Sequence, residues 1–168
     1  MKLEELGHLA FFNGLSPADM ELLAPYFVPQ SYPSGTIVFE QGDKADYLYL
    51  VYHGEVIIRY KPHDGPIMTV TRVQPGGIFG WSAAMGNPAY TSAAICETDS
   101  QVVRIRGTDL RTLCDEYPEV GKIILDRLAA VIAERKKSQQ AQVTSMLAIG
   151  IRQQGIDKEE EEDGSIQN

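Results

Sequence analysis

The period of the apolar positions changes twice along this 168-residue chain. Leu3 to Phe12 reads as a short helix, and a second helix opens at Ser16-Pro17. Ser16 is an N-cap, Pro17 stands where the first helical N–H has no partner to lose, and Asp19 puts a carboxylate in the first turn. Its apolar residues include Met20, Leu22, Leu23 and Phe27. After Pro29 the pattern turns to short runs of Val, Ile, Tyr and Phe, punctuated by Gly35, Gly42, Gly54, Gly65 and Gly76-Gly77. Gaps of 7, 12, 11 and 11 residues between these glycines suit an all-β barrel or roll. Within it, Tyr47 to Tyr52 (YLYLVY) is nearly continuous in apolar and aromatic residues, which predicts a central strand covered on both faces.

Helical spacing returns near Thr108, read as an N-cap, and that segment ends at Tyr117 before Pro118. Pro118 opens a longer helix. Its Val120, Ile123, Ile124, Leu128, Val131 and Ile132 form one apolar stripe, with Glu119, Lys122, Asp126 and Arg127 elsewhere on the wheel. Such a stripe packs on the roll or pairs with a second copy. The expected organisation is therefore N-terminal helices over 1–28, a β-roll over 29–107, C-terminal helices over 108–150 and an acidic disordered tail over 151–168. The fold class is mainly β with flanking α: a β-roll, or jelly roll, with N-terminal helices and a long C-terminal helix.

Composition narrows the function classes. With 43% hydrophobic residues the chain makes one ordinary domain with a real core. No run approaches 18 apolar residues and the start MKLEELGHLA carries charges, so neither a membrane span nor export is expected, and a cytoplasmic location is. The formal charge is −8, of which Asp157 to Asp163 contributes −5 (six carboxylates, one Lys), leaving −3 for the rest. Arg135, Lys136 and Lys137 form the one local basic cluster and read as a solvated helix face, so direct DNA binding is not expected. Cys96 and Cys114 lack CxxC spacing and are expected to be buried free thiols. His8, His53 and His63 are far apart and lack Cys or His neighbours, so no metal site is read from them. Glu40, Asp43 and Asp46 flank a glycine turn and read as solvated turn carboxylates. The absence of a nucleophile elbow, a Walker loop or a zinc-protease pattern argues against an enzyme.

Candidate chemistry concentrates between Phe79 and Ile95, FGWSAAMGNPAYTSAAI. Gly80, Ser82, Ala83 and Ala84 are small enough for backbone N–H groups to approach an anion, and Gly80 accepts φ > 0 at no steric cost. The charge that a phosphate needs is not there. Trp81 and Tyr90 supply rings instead.

The order of these elements resembles the cyclic-nucleotide-binding domain family. The resemblance covers roughly residues 5 to 140, and four stretches carry it: FFNGLSPADMELLAPYF at 11–27, YPSGTIVFEQGDKADYLYLVYHGEV from Tyr32 to Val56, the cassette, and DSQVVRIRGTDLRTL. Most specific is G-D-x-x-x-x-L-Y-x-V-x-x-G-x-V from Gly42 through Val56. The resemblance implies a regulatory, signal-sensing domain. In the family's cassette a Glu accepts the ribose 2′-hydroxyl and an Arg nine residues later pairs with the cyclic phosphate; Trp81 and Tyr90 stand at those two positions. At ~1.5–3 kcal/mol per charge-assisted contact, the double loss weakens binding about a hundred-fold to ten-thousand-fold. Tyr90 and Thr91 hydroxyls remain as neutral donors, and the Trp81 and Tyr90 rings as stacking surfaces.

The candidate ligand-binding residues are thus Gly80, Trp81, Ser82, Ala83, Tyr90 and Thr91, joined by Gln139 and Gln140, which the resemblance puts where the C-terminal helix reaches a purine edge. The ligand is cyclic AMP, cyclic GMP or another planar small molecule. The alternative is a ligand-free interaction or dimerisation scaffold that keeps the fold. Expected partners are a small-molecule effector and either a second copy through the C-terminal helix or a separate effector protein. Family regulators usually continue into a helix-turn-helix; after about residue 150 some 18 residues remain, too few for one, so a stand-alone sensor domain is expected.

Overall fold

A computed structural model describes residues 6–135 and 137 of the chain. Its contacts divide it into two units, Met1–Ala129 and Ala130–Asn168, and the whole of the β-roll lies in the first. Among the described residues, eight strands build two four-stranded sheets in which every pairing is antiparallel. They are β1 (Val28–Tyr32), β2 (Ile37–Phe39), β3 (Tyr47–His53), β4 (Val56–Tyr60), β5 (Met68–Val73), β6 (Ile78–Phe79), β7 (Ala93–Cys96) and β8 (Ser100–Arg106). One sheet runs β1-β8-β3-β6 and the other β2-β7-β4-β5, the two halves of the expected jelly roll.

Strand β3 lies inside its sheet, between β8 and β6, and Leu48 through Val51 are all buried. Alternation explains why both faces are apolar. Tyr49 and Val51 join Phe39, Val56, Ile58, Phe79, Ala94 and Val102 in the interior of the roll. Leu48 and Leu50 point the other way, register with Ile105 and Val103 across the ladder, and are equally buried. Each such side chain contributes ~1.5–3 kcal/mol of hydrophobic stabilisation.

The flanking helices follow the sequence signals with three differences. Helix α1 (Pro17–Leu23) starts with the capping box that Ser16 and Asp19 encode: Asp19 N–H donates to Ser16 Oγ at 3.1 Å and Ser16 N–H to Asp19 Oδ2 at 3.0 Å. Met20 and Leu23 are buried, Leu22 is exposed, and Phe27 reaches the core from beyond the helix end. The segment read as a helix up to Phe12 is instead a 3-10 turn at Ala10–Phe12 where it is described. Phe11 and Phe12 are consecutive and both buried, in edge-to-face contact at 5.3 Å. Phe12 also packs edge-to-face on Phe27, with centroids 5.7 Å apart.

Helix α2 (Gly107–Glu116) begins one residue before Thr108, with Arg106 as N-cap and no side-chain cap. Gly107 N–H donates instead to Asp46 O at 3.0 Å, a tertiary partner that local sequence does not advertise. A further helix begins at residue 118, and Val120, Ile124 and Leu128 of its stripe are buried. The 151–168 tail lies outside the described residues.

Candidate functional site

Residues 80–92 link β6 to β7 and form the cassette. Gly80 opens it at φ 75°. A Cβ there would come within 3.0 Å of Tyr47 O, 3.1 Å of Tyr49 Cδ2 and 3.3 Å of Phe39 Cε1, so glycine is required for both the turn and the close approach. Turn bonds then fold the small residues back on themselves, Met85 N–H to Trp81 O and Asn87 N–H to Ser82 O, both at 3.0 Å. Ser82 and Ala83 are buried. On the far side Gly107 abuts the Ala83 carbonyl so closely that a Cβ has no room, which seats the cassette on the start of α2.

Tyr90 ties the other end of the cassette to the loop before β3. Its N–H donates to Asp43 O and its carbonyl accepts from Gly42 N–H, each at 2.9 Å, while Ala45 N–H donates to Pro88 O at 3.1 Å. The hydroxyl donates to Tyr47 O at 2.6 Å and accepts from Tyr47 N–H at 3.0 Å. The ring stacks on Phe39, centroids 3.6 Å apart and planes 12° from parallel. Only 5% of Tyr90 is exposed. Burial pushes its pKa up, and the bond to the Tyr47 backbone pulls the other way. Sequence reasoning offered this hydroxyl and ring to a ligand; in the fold the proton goes to Tyr47 and one ring face to Phe39.

The other candidates divide by exposure. Gly80 and Trp81 are half-buried, Ser82 and Ala83 lie inside, and Thr91 is at the surface. Gln139 and Gln140 lie outside the described residues. Of the histidines, His8, His53 and His63 are all exposed. Cys96 is a buried free thiol and Cys114 a half-buried one; burial raises the pKa of both. Among the described residues, no three His, Cys, Asp or Glu side chains gather as metal ligands, and no helix is long and apolar enough to cross a membrane.

Two residues that motif reading passed over enter this region from β8. Strand alternation puts Ser100, Val102, Arg104 and Arg106 on one face, and Val102 on that face belongs to the interior of the roll. Arg104 registers with Tyr49, and Arg106 with Tyr47. The Arg104 guanidinium carbon lies 4.0 Å from the centre of the Tyr47 ring and that of Arg106 5.1 Å from the same ring. Tyr49 stacks on Phe79 at 4.8 Å, planes 5° apart. Burial raises the phenol pKa of Tyr32 and of Tyr49, and Arg104 opposes both shifts. The signal was available in SQVVRIR: a period of two carries two arginines onto the face that Val102 buries.

The profile of the cyclic nucleotide-binding domain family matches residues 29–117, more than half of the chain. The chain belongs to this family. Over 124 residues it is 29% identical to the cyclic AMP receptor protein of Thermus thermophilus, an alignment spanning 74% of this chain and 56% of that protein. It is 26% identical over 100 residues to the cAMP-dependent protein kinase regulatory subunit of Aspergillus fumigatus, spanning 60% of this chain and 24% of that one. A crystal structure from Geobacter metallireducens, of a protein described as a candidate cyclic nucleotide-binding protein, superposes with a TM-score of 0.70 at 30% identity, covering 80% of this chain and 98% of its own. The chain spans about half the length of the cyclic AMP receptor protein it matches.

Proposed function

We propose that this chain is a non-catalytic, signal-sensing domain of the cyclic nucleotide-binding family that takes a small molecule without the two charged contacts of the family's cassette. The effector is then held differently from cyclic AMP in its relatives. One observation carries this reading: at the position of the family's phosphate-pairing Arg stands Tyr90, 5% exposed, with its hydroxyl on Tyr47 and its ring on Phe39. The remaining cassette candidates are Gly80, Trp81, Ser82, Ala83 and Thr91; Gln139 and Gln140, the other two, lie outside the described residues. The output is a population shift: a ligand preferring one of two states changes the surface offered to a second copy or to a separate effector protein, in the cytoplasm.

Titration with cyclic AMP and cyclic GMP, followed through backbone amide resonances, tests the proposal. No saturable response is expected at millimolar nucleotide. Trp81→Glu combined with Tyr90→Arg is expected to create or sharpen cyclic-nucleotide affinity. Micromolar binding of cyclic AMP by the unaltered chain would overturn the reading.

A second reading, the ligand-free scaffold, draws support from the stacked pairs Phe39–Tyr90 and Tyr49–Phe79, which fill the interior of the roll with the chain's own rings. A melting temperature unchanged across a nucleotide and metabolite panel would favour it, because any ligand preferring the native state raises apparent stability.

A further inference from the structure

We infer that the anion-pairing charge of this domain has moved from the cassette to strand β8, where Arg104 and Arg106 form a seat for the oxyanion group of a small molecule. The inference rests on the sensing reading above and names the chemistry of its effector.

Both guanidinium groups stand on the inward face of β8 and meet on one ring, that of Tyr47. Two like charges brought together beside a core repel one another, and a carboxylate would ordinarily relieve them. Among the described residues the ion pairs join Lys44 to Asp46 and Arg72 to Glu55 and Glu97; neither Arg104 nor Arg106 takes part in one. The ring quadrupole of Tyr47 offsets part of the repulsion, more weakly than an oxyanion held by a guanidinium fork.

A second observation is independent of that pairing. Arg104 Nε is buried and has no hydrogen-bond partner. A buried donor of this kind costs free energy, and an oxyanion reaching it removes the cost. The planar fork suits phosphate and carboxylate alike.

The seat adjoins the cassette through Tyr47, whose carbonyl accepts from the Tyr90 hydroxyl and lies against Gly80. It is also open to solvent: Val28, across the ladder from Arg104, is 45% exposed, and Arg106 is exposed. The same arrangement accounts for Tyr90, since a second charge at the cassette is not needed where two come from β8.

The test is titration of the full chain, labelled with nitrogen-15, with inorganic phosphate, 5′-AMP and benzoate at low salt, following the Nε–H resonance of Arg104. A saturable shift is expected with phosphate or 5′-AMP if the effector is phosphorylated, and with benzoate if it is a carboxylate. Arg106→Gln, an exposed change that leaves the core intact, is expected to weaken the response about tenfold. Arg104→Lys, which removes that Nε–H and is therefore followed through the backbone amides of Tyr47 and Arg106, is expected to weaken the response by a similar factor, because the fork is lost and the charge kept, whereas Lys61→Gln on the β4–β5 hairpin leaves it unchanged. A silent Arg104 with all three anions at 10 mM, or an equal response in Arg106→Gln, overturns the seat. If the metabolite panel still stabilises a protein whose Arg104 is silent, the seat fails and the sensing reading stands. Cyclic AMP bound at micromolar concentration through the cassette, with Arg104 undisturbed, overturns both.

Discussion

Arg72 and Arg104 carry the same charge and sit in opposite sheets of the roll, and their surroundings could hardly differ more. Arg72, on β5, has about half of its side chain in solvent and lies between two carboxylates, Glu55 at 3.1 Å and Glu97 in closer contact still. Hydrogen bonding to Glu55, then the charge of Glu97, holds its pKa above the usual value. Arg104, on β8, lies over a ring, faces the buried phenol of Tyr49 and the half-buried one of Tyr32, and has no acceptor at its Nε. Arg72 is a surface clasp between the β3–β4 turn, β5 and the turn after β7, complete within the chain. Arg104 belongs to an end of the roll where aromatic packing has replaced ionic pairing, and among the described residues no carboxylate pairs with it.

Removing the ring of Tyr90 should strike that aromatic end hardest. Tyr90→Ala opens a cavity beside Phe39 and strips two hydrogen bonds from Tyr47, and an aromatic-to-alanine change in a core costs about 3–5 kcal/mol. Urea unfolding measures it; a loss under ~1 kcal/mol would mean that Tyr90 does not hold this end together. Tyr90→Phe keeps the stacked ring and deletes the hydroxyl, leaving the Tyr47 N–H and carbonyl without their partner. The expected cost is about 1–3 kcal/mol, and protection of the Tyr47 amide from hydrogen exchange should be lost with it. Arg72→Gln should have the smallest effect, a slight fall in melting temperature that fades as salt is added, because exposed ion pairs contribute little and are screened. If Arg72→Gln destabilised the chain as much as Tyr90→Phe, the contrast between the two ends would collapse.

Much of the fold is legible residue by residue. Ser16, Pro17 and Asp19 encode a capping box that forms as written, and YLYLVY announces a strand covered on both faces because both faces are needed, one for the roll and one for the layer that β8 shares. Legibility ends where a contact from far along the chain replaces a local signal. Helix α2 starts at Gly107 because Asp46 O accepts its N–H and Ala83 leaves no room for a Cβ, not because Thr108 caps it. Phe11 and Phe12 lie in a 3-10 turn and are both buried, Phe12 against Phe27 fifteen residues on. At the candidate site, the absence of the two family charges could be read from Trp81 and Tyr90. Where the rings point could not.

What the amino-acid order determined alone is the succession of elements, the glycine at each forced turn, membership of the family, and the chemistry missing from the cassette. All of these depend on neighbours within a few residues or on spacing along one strand. Tertiary structure decided that the Tyr90 hydroxyl closes on Tyr47, 43 residues away, and that two arginines of β8 converge on the same tyrosine. The first hangs on the backbone bonds that tie Tyr90 to the loop before β3, the second on the register between β3 and β8, where a slip of one residue turns every side chain to the opposite face. No local pattern carries that information, because register is set by the sum of pairings across the whole sheet.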